Sequence, residues 1–319
     1  MSQKVLLSID GGGIRGIIPA LALQKLEQVT GRPAHETVSF VAGTSTGALM
    51  AAAVAAGLPA AQIVDIYKDR SKDIFVPRPP LSDIRRYSTG HKYDAAKLNQ
   101  VLREEFGAKA GWTLNDSPID LLLTATRLSD GRPWYFVKDN IYNAKTTGRF
   151  GLLDCTTASA AAPTYFDPWT IQGPPGKLVD GGIGVTGNPV YQACIEAFCY
   201  SPGYDPERTT VISFGTGRYI SRADPHSILD WLNWVLDTLL HAPEDQQTKI
   251  VARHYPQTVF YRLEPQLDLN VDMDDVEHIP ELERMGEEFA AEVNWEAMLR
   301  CDDTKFRMRP PKCPAAVAA

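Results

Sequence analysis

The chain is short of the features that mark membrane-spanning, metal-binding and polyanion-binding proteins. Its longest apolar run, residues 48–56, is mostly alanine and falls far below the roughly 20 residues that cross a bilayer. Positive charge is in deficit: 32 Lys and Arg stand against 39 Asp and Glu, for a net charge of −7. That balance argues against a nucleic-acid polymer as partner, because such binding neutralises phosphates with Lys and Arg. Cysteine is scarce. The five, Cys155, Cys194, Cys199, Cys301 and Cys313, are odd in number and show no C-x-x-C spacing, so they read as free thiols of a reducing compartment. No cluster of ligand residues calls for a metal, and no cofactor is expected. The apolar stretch 5–9, preceded by one lysine and followed by an acid, is too short for a secretory signal. The expectation is a soluble cytoplasmic protein with at most peripheral membrane contact; export as an effector stays open.

What is present is ordinary globular composition. With 319 residues, 44% hydrophobic and 22% charged, the chain can bury a large core. One domain over residues 1–309 is expected. The proline-bearing segment 74–92, which lacks a clean period, reads as a surface loop or lid, and the Pro- and Ala-rich tail 310–319 as disordered. Strand and helix signals alternate. A Val/Leu/Ile run at 5–9 is followed by helical spacing over 17–29 (Ile18, Leu21, Leu26, Val29), which Gly31 closes. A second buried strand at 38–42 leads into an alanine-rich helix ended by Gly57-Leu58-Pro59, and further strands are expected at 120–125, 134–137, 177–179, 209–213 and 258–262. This order predicts an α/β fold with a mostly parallel central sheet and helices on both faces.

Three glycine-bearing motifs sit where chemistry is expected: Asp10-Gly11-Gly12-Gly13-Ile14-Arg15-Gly16, Gly43-Thr44-Ser45-Thr46-Gly47 and Asp180-Gly181-Gly182. The first has two functional readings. A glycine loop between strand and helix can cradle a dinucleotide pyrophosphate or present bare N–H groups to an oxyanion. The dinucleotide reading expects an acid at the end of the next strand, about 20 residues on, where this chain has Gly43-Thr44-Ser45. The second motif has the form of a nucleophile elbow, in which Gly43 and Gly47 remove side chains that would collide around a serine on a sharp turn. The base is not obvious. His35, His91, His226, His241, His254 and His278 stand in no motif with turn glycines, whereas Asp180 ends an apolar stretch and is followed by Gly181 and Gly182. A carboxylate in a partly desolvated cleft is a stronger base than free aspartate.

Together these residues resemble the patatin-like phospholipase family, whose members carry a DGGG-x-[RK]-G loop, a G-x-S-x-G nucleophile and a DG[GA] base in this order. Segments 92–94, 158–166 and 213–217 are similar to further family segments, so the likeness extends to about residue 265. The resemblance implies a three-layer α/β/α fold and a Ser–Asp dyad without histidine: Ser45 as nucleophile, Asp180 as base, Gly11, Gly12 and Gly13 as oxyanion hole, with Arg15 beside it. Residues 183–189 run one residue longer than the common family spacing to Asn188-Pro189, which leaves the shape of that loop open. The implied function is a serine lipid acyl hydrolase of phospholipase A or lysophospholipase type, without metal. Its alternatives are an acyltransferase using the same dyad, a dinucleotide-binding protein and an idle storage or interaction protein. Head-group preference and oligomeric state are not legible. Residues 226–240 carry Ile228, Trp231, Leu232, Val235 and Leu239 at helical spacing, a stripe that reads as core. Trp234, off the stripe, reads as a contact for a lipid surface.

Overall fold

The computed structural model describes residues 4–77, 91–143, 145–219, 226, 231, 234, 238 and 245–309. Most of the expected lid, residues 78–90, and the tail 310–319 lie outside the described residues. Eight strands form one sheet: β1 (Lys4–Ile9), β2 (Phe40–Gly43), β3 (Asp120–Arg127), β4 (Pro133–Val137), β5 (Trp169–Ile171), β6 (Gly176–Asp180), β7 (Thr209–Phe214) and β8 (Val259–Leu263). The β3-β2-β1-β7-β8 portion is parallel throughout, while β4 and β6 run antiparallel to β3, and β5 to β6. The mostly parallel sheet of the sequence reading is thus present.

Period-two alternation sorts the core into two faces. Leu7 and Ile9 of β1, Val41 of β2, Leu121 and Leu123 of β3 and Ile212 and Phe214 of β7 belong to one buried cluster, with residues of helices α1 (Ile17–Thr30), α2 (Thr46–Ala55), α3 (Ala95–Phe106) and α4 (Leu152–Ser159). Leu6, Phe40, Leu122 and Val211 point the other way and pack against α5 (Val190–Tyr200). The result is the three-layer α/β/α arrangement, with the thicker layer on the first face. Helix α6 (Ile279–Glu292) packs across α1 there.

Local sequence explains the helix ends. Gly31 closes α1 in the left-handed conformation (φ 64°), its N–H donating to Glu27 at 2.8 Å, a geometry that costs a Cβ-bearing residue more. The Asp94 side chain caps α3 by accepting the Ala96 N–H at 2.9 Å. Every residue of α2 is buried, and its run of alanines lets the helix lie close to the sheet.

Strand β3 fixes where the site forms. Leu122 and Leu123 pair with β2 on one edge and with β4 on the other. Ala125 pairs with both Trp134 of β4 and Asp180 of β6, so β6 lies on the same edge of β3 as β2. On that edge β2 ends opposite Leu123 and β6 arrives from the other direction to end opposite Ala125. Two strand ends therefore meet nose to nose across Thr124, one delivering Gly43-Thr44-Ser45 and the other Asp180. Ile9 of β1 lies level with Gly43 and with Phe214, which brings the glycine loop to the same carboxyl edge of the parallel strands, the usual place for ligand chemistry in such sheets.

Candidate active site

The elbow is strained and heavily braced. Ser45 sits between β2 and α2 with φ 56° and ψ −123°, a conformation that costs a non-glycine residue about 1–3 kcal/mol and persists only where its surroundings over-determine it. Those surroundings are on hand. The Ser45 N–H donates to Ser159 Oγ at 2.9 Å. The Thr44 hydroxyl donates to the Thr186 carbonyl at 2.5 Å and lies 2.7 Å from Thr124 Oγ1, so Thr124 is the donor of that second bond. Gly43 and Gly47 are needed for close approach: a Cβ at Gly43 would stand 2.1 Å from the Gly47 carbonyl oxygen, and one at Gly47 would stand 2.2 Å from the Ile9 carbonyl oxygen. These obstacles are backbone and cannot rotate away. Gly47→Ala is therefore expected to destabilise the fold by about 3 kcal/mol or more, as overpacking of a tight core does; thermal melts check this, and an unchanged Tm would contradict it.

Asp180 is 2% exposed. Its carboxylate accepts the Gly182 N–H at Oδ1, 2.7 Å away, and feels the Ser45 side chain, which lowers its pKa. Burial raises its pKa from 3.8 to about 6, while the Ser45 side chain and the Gly182 amide hold it down; desolvation of the charged form wins. The strand end is tied to the elbow through one segment. Asp180 N–H donates to Ala161 O at 2.9 Å and Gly181 N–H to Ser159 O at 3.3 Å, while the hydroxyl of that same Ser159 receives the Ser45 amide. Ser159 is fully buried. Reading the sequence assigned it no role; its place in the segment 158–166 was the one signal available.

The glycine loop lies against the elbow, since a Cβ on Gly11 would come within 3.2 Å of Ser45 Cβ. Gly11 is held on both sides: its N–H donates to Gly187 O at 3.0 Å, and its carbonyl accepts the Thr216 hydroxyl at 2.8 Å. The Ile14 N–H goes to Met273 O at 2.9 Å. Between these, the amides of Gly12 and Gly13 donate to no described residue. Gly13 has φ 59°, and a Cβ there would meet Met273 O at 2.3 Å. Arg15 is buried and folds back so that Nε reaches Gly12 O at 3.4 Å, bracing the loop from within. The longer loop 183–189 thus has a visible task, because Thr186 and Gly187 fasten the elbow and the glycine loop respectively.

A cavity of about 60 Å³ opens beside Ser45 and Gly13, lined by Ile66, Tyr67, Ile74, Phe75, Leu98 and Phe166 among others. A π-helical turn, Ile66–Arg70, carries Ile66 and Tyr67 into it, in keeping with the tendency of such turns to mark functional sites. Among the described residues no histidine lines the cavity. Trp231 and Trp234 stack edge to face with centroids 5.6 Å apart and are 52% and 41% exposed. Trp231, expected within a buried stripe, faces solvent instead; most other residues of 220–244 lie outside the described set.

The model of the patatin-like phospholipase family matches residues 7–193, more than half of the chain, and the protein belongs to that family. It is 30% identical over 200 residues to the cGAMP-activated phospholipase of Escherichia coli (strain TW11681), covering 60% of this chain and 55% of that protein. It is 26% identical over 294 residues to Patatin-17 of Solanum cardiophyllum, covering 81% and 73%. The chain thus spans about half the length of the bacterial relative. Among solved structures, VipD from Legionella pneumophila aligns over 94% of this chain and 67% of its own, at 14% identity and a TM-score of 0.46.

Proposed function

We propose that the protein is a lipid acyl hydrolase of phospholipase A or lysophospholipase type, working through Ser45 and Asp180. The observation that carries this reading is the convergence of two strand ends that sets Ser45, on its strained turn, beside the buried Asp180 carboxylate, whose pKa the Ser45 side chain lowers, with Ser45 lining an apolar cavity. Ser45 Oγ attacks the ester carbonyl while its proton passes to Asp180. The carbonyl oxygen becomes an oxyanion, met by the Gly12 and Gly13 amides; Gly11, whose amide is already donated to Gly187, anchors the loop instead of serving as a third donor. The intermediate collapses, the C–O bond to the alcohol breaks, and the departing alkoxide takes the proton from Asp180. Water then attacks the acyl–Ser45 ester and gives a proton to Asp180. Collapse returns that proton to Ser45 Oγ and frees the fatty acid. Two open amides suit one oxygen rather than a pyrophosphate, which favours this chemistry over dinucleotide binding. The apolar lining favours a fatty-acyl chain, and the exposed Trp231–Trp234 pair favours reversible contact with a lipid surface.

The pH dependence follows from Asp180. Ionised Asp180 is the base, so kcat/KM for hydrolysis of a medium-chain chromogenic ester is expected to fall about tenfold per pH unit below about pH 6 and to be flat above it. Fatty acid release from lysophosphatidylcholine should follow the same curve. A profile flat from pH 5 to 8, or no ester turnover at any pH, would remove the proposal.

A further inference from the structure

Behind the glycine loop lies a buried charged network that the reaction steps above do not use. Arg262, on β8 and in register with Ser213 of β7, is only 10% exposed at its side chain. Its Nη2 donates to Oδ2 of Asp10, the first residue of the loop, at 2.7 Å, and its Nη1 donates to Ser213 Oγ at 2.8 Å. Nη2 also donates to Glu264. Glu264 Oε1 in turn accepts the Gly217 N–H at 2.8 Å, and the neighbouring Thr216 hydroxyl is the group that holds the Gly11 carbonyl. Asp10 is fully buried, and its own N–H is fixed to Phe214 O at 2.9 Å.

One guanidinium thus grips the glycine loop from two directions, through the Asp10 carboxylate before Gly11 and through Glu264, Gly217 and Thr216 beneath it. We propose that Arg262 is a positioning residue for the Gly12 and Gly13 amides, setting the peptide orientation those donors need to meet an oxyanion. The inference rests on the function proposed above. Its physical basis is that a fork of rigid donors can hold two carboxylates and a hydroxyl in fixed relation. Oxyanion stabilisation is also sensitive to small displacements of its donors. The charge those amides would meet develops only in the transition state, so loss of Arg262 should fall there.

The test compares wild type, Arg262→Met, Arg262→Lys and Asp10→Asn/Arg262→Met, the last removing the carboxylate that Arg262→Met would leave buried beside an apolar side chain. For chromogenic ester hydrolysis, Arg262→Met is expected to lower kcat about 10- to 100-fold with KM within about twofold. The affinity for a fatty-acyl trifluoromethyl ketone, which forms a hemiketal oxyanion with the serine, should drop by the same factor. Arg262→Lys should recover part of both. Should Arg262→Met fail to fold, the double variant carries the same expectation. A folded Arg262→Met or double variant that keeps wild-type kcat and ketone affinity overturns the proposal, as does a loss confined to KM. Failure of the underlying reading is distinguishable, because in that case Ser45→Ala itself would retain turnover and the ketone would not bind wild type.

Discussion

Asp180→Asn is expected to lose hydrolysis and gain stability at the same time. The amide keeps an acceptor for the Gly182 N–H, bonded to Asp180 Oδ1 at 2.7 Å, and nearly the same shape, so the turn is retained. It cannot take the Ser45 proton, and removal of a positioned base costs about 10²–10⁴ in rate. The gain in stability comes from burial. The folded-state pKa is raised from 3.8 to about 6, so the folded protein binds the Asp180 proton more tightly than the unfolded chain does. The wild type is therefore relieved of penalty below about pH 4, and stability is lost progressively as pH rises through 6. Above pH 7 the ionised carboxylate costs about 3 kcal/mol, a shift of roughly two pKa units at about 1.4 kcal/mol each. Asp180→Asn should melt several degrees higher than wild type at pH 8, with the difference vanishing near pH 4. Equal melting temperatures at pH 8 would mean that Asp180 is not held in a desolvated site.

Much of this arrangement was legible in the sequence because the chain writes its motifs locally. The elbow, the glycine loop and the Asp180 turn each combine an apolar strand with glycines at fixed offsets, and the first two lie at the carboxyl edge of the parallel strands, as strand-then-loop patterns require. Gly31 as a helix stop and the strand runs from residue 5, 38, 120, 134, 177, 209 and 258 are of the same local kind. Strand direction is not. A five-residue strand reads the same whether it runs parallel or antiparallel, so nothing in residues 176–180 announced that β6 would oppose β2 and bring Asp180 to the elbow. β5 is three residues long, too short for alternation to register. The bracing groups were hidden for a different reason: Ser159 lies 114 positions from the serine whose amide it receives, and Arg262 lies 252 positions from Asp10. A buried serine in an alanine-rich stretch or an arginine at a strand end carries no mark of its partner. Three amides in a row also looked equivalent on paper, whereas the Gly187 carbonyl selects Gly11 as the anchor.

Ser45→Ala should remove ester turnover by roughly 10⁴–10⁶-fold, since without the nucleophile only binding and the amide cradle remain, and any burst of acyl-enzyme should disappear with it. The substitution also bears on Asp180, because the Ser45 side chain is one of the two groups that lower its pKa. In the alanine variant Asp180 is expected to titrate above the wild-type value of about 6, as followed by carboxyl infrared absorption. Ser45→Gly separates chemistry from strain. Both variants lack the hydroxyl, yet alanine keeps a Cβ at φ 56°, whereas glycine tolerates that conformation freely. Release of about 1–3 kcal/mol of backbone strain, set against the roughly 1 kcal/mol that glycine's unfolded-state freedom takes away, leaves Ser45→Gly more stable than Ser45→Ala by about 1 kcal/mol. Both should be equally inert. An alanine variant with a hundredth or more of wild-type activity would require another nucleophile, and a glycine variant less stable than alanine would mean that the elbow is not strained at its serine.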